Sequence, residues 1–464
     1  MIISFSYQSM FTRRIIIILT FIFLGLGATG SGFNNLGSNN CFGIQVDTLG
    51  DWPTFLGVRG DSRSDEKGIS KDWSNGKLEI LWSTDVGLGY SLGSMADGRF
   101  FQFDAIGNQS RLRCIDAKTG DPIWKFEYAF EYKDMFGFDN GPRTTPVVDG
   151  DRVYIYGVEG VLHCLNTQTG NVIWKKNISQ DFGVVQNFFG VGSTPKILGK
   201  NLIVMVGGSP KEDQGSTRLD QIGNTGSAVV IFDKLTGQVL HQLGEDLASY
   251  SSIQTYDKNG KTFGVAWLRN QAIGFDIEVG KQLWKFPYRA RKYESVNASS
   301  PVVIGEKIFL CESYGPASML LDVGQAEPKV VWNDSDRRNL SLATHWNTPV
   351  YDEGFLYASH GENSSTAELR CVEFATGKVM WKKRGFGRCS LTYIDGHFVV
   401  VAERGQLFLI RATPDNFEVV TEYSGQDGEG AGLQYPCWSA AVIAQGKLYV
   451  RGKNKMICFQ LTKD

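Results

Sequence analysis

The chain has 464 residues, 42% of them apolar and 21% charged, which excludes both a disordered chain and a polytopic membrane protein. Its 47 basic and 49 acidic side chains leave a formal charge of −2, so an electrostatic grip on nucleic acid is excluded as well. With 54 glycines against 13 prolines, and 12% aromatic residues, the composition points to an all-β chain of short strands joined by tight turns.

Residues 1–30 read as a signal peptide. Arg13 and Arg14 precede the apolar run Ile15 to Leu26, which is short for a membrane span of ~20 residues but suits a signal-peptide core. Ala28-Thr29-Gly30 then offers the small residues that a signal peptidase reads. An uncleaved N-terminal segment is the alternative, and with it the membrane attachment that the sequence allows. Either way the expected location is outside the cytoplasm, in a bacterial periplasm or cell envelope. Residues 31–50, rich in Gly, Asn and Ser, read as a flexible tether. Residues 51–77 read as a lead-in segment in which Asp61-Ser-Arg-Ser-Asp65-Glu66 is expected to be a solvated loop.

From residue 78 to 462 the chain repeats itself. Leu112-Arg-Cys-Ile-Asp116, then Thr119-Gly120 and Trp124, returns as Leu162-His-Cys-Leu-Asn166, Thr169-Gly170 and Trp174. The frame recurs at Phe232-Asp233 with Thr236-Gly237, at Phe275-Asp276 with Gly280 and Trp284, and at Leu369 to Glu373 with Thr376-Gly377 and Trp381. A second module lies upstream of each frame, as in Thr144-Thr145-Pro146-Val-Val-Asp-Gly150 followed by Val153 to Gly157. Asp, Asn or Glu opens a tight turn by bonding nearby backbone N–H groups, and Gly supplies its positive-φ corner. Trp on the outermost strand brings a large apolar surface that can dock on a neighbouring unit; Trp82, Trp124, Trp174, Trp284, Trp332 and Trp381 are the expected docking residues.

Each unit reads as four strands, and inner-strand modules fall near Tyr90, Thr144, Ser193, Ser251, Ser299, Asn347, Ser390 and Ser439. The expected fold is therefore an eight-bladed β-propeller of four-stranded blades. Its last copy ends at the C-terminus without an outer Trp strand, and Glu79-Ile-Leu-Trp82 can supply one, so residues 78–83 are expected to close the ring.

These Leu-x-Cys-x-Asp … Thr-Gly-x-x-x-Trp frames and Ser/Thr-Pro-Val-Val … Asp-Gly modules resemble the PQQ-type propeller repeat of the quinoprotein alcohol dehydrogenase-like superfamily. The lead-in Asp51 to Asp61 and the stretch Arg289 to Asn297 are similar to those of exported bacterial members, many named after the outer-membrane assembly lipoprotein BamB. The resemblance implies either a non-catalytic binding scaffold or, as the alternative, a PQQ-dependent alcohol dehydrogenase with calcium. It implies for the enzymes a quinone held between a Trp and a disulfide of adjacent cysteines. The eight cysteines here (41, 114, 164, 311, 371, 389, 437 and 458) include no adjacent pair. The expectation is accordingly no catalytic residue, no metal ligand and no cofactor, with PQQ and calcium as the alternative.

Loops that precede the inner strands converge on one face of such a ring. They carry Tyr90, Asn140, Arg143, Asn187, Asn297, His345, Trp346, Asn347, Arg388, Gln434, Tyr435 and Trp438, a candidate ligand-binding funnel. Arg143 and Arg388 stand out, because a planar five-donor fork suits a carboxylate. The expected partner is a cell-envelope protein, or a small polar or glycan ligand. The stretch Gly207 to Gly226 interrupts the third blade and either lies over a functional surface or is disordered.

Overall fold

The computed structural model describes residues 50–336, 338–423 and 431–462, so the expected signal peptide and nearly all of the tether lie outside the described residues. Eight four-stranded antiparallel blades follow one another in chain order. The first strands of the blades begin at Ser94, Val147, Lys196, Gln254, Val302, Val350, Ser390 and Val442, three or four residues after each expected module except at Ser390, where the two coincide. The eighth blade is completed by Ile80–Asp85, which pairs antiparallel with Lys455–Gln460 and closes the ring.

First strands of neighbouring blades touch around the centre of the ring. A hydroxyl relay ties them together. Thr145 N donates to Thr194 Oγ1, Thr194 N to Ser252 Oγ, Ser252 N to Ser300 Oγ, and Ser300 N to Thr348 Oγ1, all within 3.0–3.1 Å. This explains the second Ser or Thr in the modules of blades three to six: it satisfies a backbone donor of the preceding blade that would otherwise be buried and unpaired.

The Gly–Trp signature has an equally direct cause. Trp82 Nε1 donates to Ala117 O of the first blade, Trp124 to Thr167 O of the second, and Trp174 to Lys234 O of the third. Trp332 and Trp381 reach Phe374 O and Thr413 O in the same way, whereas Trp284 turns to Tyr256 Oη of its own blade. Four of the five indoles that cross, all but Trp381, lie against the turn glycine of the next blade. A Cβ at Gly120 would fall 2.7 Å from Trp82, and one at Gly170 would fall 2.6 Å from Trp124. Both glycines also have φ above +70°, so the turn and the docking each demand Gly. The third blade has no Trp here; His241 takes the position and contacts Glu278 O at 2.9 Å. Cys114, Cys164, Cys371 and Cys458 pair across the ladder with Trp124, Trp174, Trp381 and Trp82, inside the blades.

The lead-in departs from the expected solvated loop. Met95 pairs with Trp52, Val148 N donates to Pro53 O, Arg63 bonds Asp352, and Arg63–Ser64 adds a parallel strand to Ser390–Ile394. Glu66 accepts from Gly446 N, and Gln445 donates to Asp51. The segment thus straps blades one, two, six, seven and eight on the face of the first-to-second-strand hairpins. Its charges are paired partly within the segment, where Arg59 bonds both Asp61 and Asp65, and partly with the blades, through Arg63–Asp352 and Lys67–Asp395. Among the described residues no helix is long and apolar enough to cross a membrane.

Candidate functional site: the face opposite the strap

In an antiparallel blade the outer-to-inner connections and the second-to-third-strand hairpins share one end. All twelve expected funnel residues lie in the outer-to-inner connections of that end. The structure brings six of them into one aromatic belt. Tyr435 meets Trp438 at 6.3 Å between ring centroids, Tyr90 meets Trp438 at 4.9 Å, and Trp438 meets Trp346 at 4.5 Å. His345 follows Trp346 at 4.6 Å, and the Arg388 guanidinium lies 4.3 Å over Trp346 and 5.3 Å from Trp438. Arg143 adjoins the belt 5.9 Å from Tyr90.

The four asparagines are braces and not members of the belt. Asn140 accepts from Asp134 N, Asn187 accepts from Phe188 N and from Arg269, and Asn347 donates to Ser359 O. Asn297 is buried at φ +47° and donates to Leu268 O and Arg269 O. Gln434 is tied through its backbone to Asn454 and Lys453.

Both arginines are committed. Arg388 gives Glu403 two side-chain hydrogen bonds, at 3.0 and 2.5 Å, and a third from its backbone, while Trp438 Nε1 adds a fourth at 2.9 Å. Burial works to raise the Glu403 carboxyl, but these donors outweigh it and hold the group at about 2. Arg143 bonds Asp134 at 2.7 Å and two backbone carbonyls. His345 takes Tyr314 Oη on Nε2 at 2.8 Å, and burial, helped by Arg388, lowers the imidazole to about 3, so it is neutral. Burial raises the thiols of Cys389 and Cys437, near this face, to about 12.

Sequence reasoning missed the partners on the second-to-third-strand hairpins: Glu403, Glu312, Glu362 and Tyr314. A signal existed, since Glu312 and Glu403 each end an apolar strand run, Phe309-Leu310-Cys311 and Val399 to Ala402. It also missed a promontory of Met135, Phe136 and Phe138, which are 56, 50 and 62% exposed. Phe136 packs on Phe188 and Phe189 at 5.7 and 5.6 Å, and Phe188 packs on Tyr293. Buried Asp134 organises the loop, accepting from Phe136 N and bonding Arg143. The Gly207–Gly226 excursion packs here as well: Tyr293 Oη accepts from Leu219 N and donates to Thr217 O.

A planar quinone with calcium does not fit these residues. Both guanidinium forks are occupied by carboxylates, Arg388 lies over Trp346, and Glu403 is already saturated with donors. Among the described residues no three His, Cys, Asp or Glu side chains gather as a metal site would require.

The profile of the family described as outer membrane protein assembly factor BamB matches residues 108–383 and 258–416. No curated protein matches the sequence. Among solved structures, the quinohemoprotein alcohol dehydrogenase of Comamonas testosteroni superposes with a TM-score of 0.57 at 12% identity, over 89% of this chain and 80% of that one. Quinohemoprotein alcohol dehydrogenase ADHIIG of Pseudomonas putida HK5 gives 0.56 at 12% identity, over 90% and 81%. BamB of Moraxella catarrhalis matches at 11% identity over 82% and 84%, with a TM-score of 0.36. At such identities the likenesses to the two dehydrogenases establish the propeller fold alone.

Proposed function

The chain belongs to the PQQ-repeat propeller family described as outer membrane protein assembly factor BamB, and from that premise we propose that it is an exported, non-catalytic scaffold that holds a protein partner in the bacterial cell envelope. The observation that carries this reading is the promontory: three large apolar side chains within four residues of one loop, Met135, Phe136 and Phe138, project at half exposure or more. Monomeric proteins seldom expose such clusters without a partner, and Met and Phe are enriched where interfaces are most buried. The loop is rigid before binding, because Asp134, Asn140 and Arg143 hold its backbone, so little ordering entropy opposes association. Export, the envelope location and the envelope partner rest on the basic-apolar N-terminus and the family description.

The alternative, a quinoprotein alcohol dehydrogenase, draws on fold likeness alone, and the saturated arginines speak against it.

The test is photocrosslinking in cells, with a benzoyl-phenylalanine placed at Phe136 or Phe138 and, as a control, at Lys118 on the opposite face. The expected result is one discrete protein adduct from positions 136 and 138, absent at 118 and lost when Phe189→Ala accompanies the probe. Equal labelling at all three positions, or none, would overturn the assignment.

A further inference from the structure

The Gly207–Gly226 excursion is an addition that the propeller does not require. It replaces the second-to-third-strand hairpin of blade three, between Asn201–Met205 and Val229–Asp233, whereas the longest such hairpin in the other blades runs only from Gly361 to Ala367. From Lys211 to Asn224 the one buried residue is Leu219. It sits in an apolar cluster with Val185 and Phe188 of the connection into blade three, Leu247 of the connection into blade four and Val296 of the connection into blade five. The hydrogen bonds that join this stretch to other described elements both end on one phenol. Leu219 N donates to Tyr293 Oη at 2.9 Å, and Tyr293 Oη donates to Thr217 O at 2.6 Å. The rest are its own, such as Gly223 N to Asp213 at 2.8 Å, so the excursion keeps its shape from within. Thr225 N bonds Gly208 O at its base, and its ends are Gly207 at φ +68° and Gly226 at φ +73°, conformations that only glycine takes without strain.

We propose that the excursion is a latched lid, with Leu219 as its bolt and Tyr293 as its catch, and that it opens to admit an apolar side chain of the protein held at the promontory. One leucine and one hydroxyl are a small hold on so exposed a stretch, and releasing them breaks no bond of a blade ladder, which is the profile of an element that opens locally while the fold stays intact. The catch itself is fixed. Its carbonyl accepts from Arg269 at 3.0 Å and from Arg289 at 2.9 Å, and its ring meets Phe188 edge-on at 5.6 Å. Phe188 also packs on Phe136 at 5.7 Å, so the socket under Leu219 continues the apolar surface of the promontory inward. A partner whose side chain takes the place of Leu219 favours the open lid, because it binds that state alone. The identity of the incoming group rests on the scaffold reading above; the latch does not.

The experiment is limited trypsin proteolysis of the full chain, followed at the cut after Arg218. Its flanking backbone groups, Thr217 O and Leu219 N, are the ones that Tyr293 holds, so the cut needs the lid open and its rate follows the open population. Tyr293→Phe, which removes only the catch hydroxyl, should speed the cut about tenfold. Leu219→Ala, which empties the socket, should speed it about tenfold or more. Both variants should keep the melting temperature of the parent chain, and Phe136→Ala should leave the rate unchanged. The lid falls if neither variant changes the rate, or if the faster cut comes with a lower melting temperature, which would make the excursion part of the propeller core. The second arm repeats the photocrosslinking at position 136 in a Tyr293→Phe background, where the adduct should form in higher yield. An unchanged yield beside a faster cut would overturn the socket as part of the docking surface. No adduct in either background would overturn the scaffold reading and the incoming group with it, while the proteolysis still decides the latch.

Discussion

Glu312 of blade five and Glu403 of blade seven sit in corresponding second-to-third-strand hairpins, each at the end of an apolar strand and each only 1% exposed. Their chemistry is opposite. Glu403 is wrapped by Arg388 and Trp438 and is held at about 2. Glu312 has no arginine fork; burial pushes it up to about 7, with Glu362 adding repulsion, while Tyr314 N, Ser295 and Arg289 oppose too weakly. Burial therefore does not determine whether a carboxyl on this face is charged. The connection that leads into the blade does, by bringing an arginine fork to the carboxyl or failing to.

The strongest way to break the comparison is Glu403→Gln. It leaves Arg388 buried beside two indoles with no counter-charge, which costs on the order of 3–5 kcal/mol. Urea denaturation at pH 7 measures it, and a loss below about 1 kcal/mol would mean that the pair is screened like a surface ion pair. The acid limb follows the same logic. Because the folded value lies below the ordinary carboxylate value, the pair's stabilisation is complete above pH about 4.5 and drains away as the pH falls toward 2. In Glu403→Gln that limb should flatten.

Glu312→Gln should act with the opposite sign. Here the folded value lies above the ordinary one, so the native state binds the extra proton between pH about 4.5 and 7, and stability declines as the pH rises through that window. The variant should match the parent near pH 5 and exceed it at pH 8 by at most about 3 kcal/mol. A gap of the same size at both pH values would place the effect in packing and not in the proton.

The fold was legible because its causes are local and repeated. The Asp–Thr–Gly turn, the Trp four residues later and, in four blades, the Ser or Thr before the inner strand serve contacts between adjacent blades, so the repeats advertise them. The closing strand was legible for the same reason: Trp82 completes a pattern that the last blade lacks, and it docks on Ala117 as the other crossing tryptophans dock on their neighbours. The stretch Asp61–Glu66 was misread as a solvated loop because its partners, Asp352 and Gly446, lie some 290 and 380 positions away, and no periodicity links them. At the candidate site, sequence placed Arg143 and Arg388 on one shared face but could not show that each had a carboxylate waiting. Asp134 lies within the same loop as Arg143, whereas Glu403 reaches Arg388 across a hairpin, and only pairing register reveals that meeting.

The finest version of the comparison asks whether Glu403 owes its low value to charge or to geometry, and Arg388→Lys separates the two. Lysine keeps the positive charge beside Glu403 but gives up the two-point fork and the planar contact with Trp346. If charge dominates, the acid limb of the denaturation profile should persist, and stability at pH 7 should fall by only about 1 kcal/mol, the scale of the lost stacking. If geometry dominates, the lysine variant should behave like Glu403→Gln, losing the limb and several times as much stability. The four donors converging on one carboxylate favour the first outcome, since Arg388 N and Trp438 Nε1 remain in place whichever cation stands beside them.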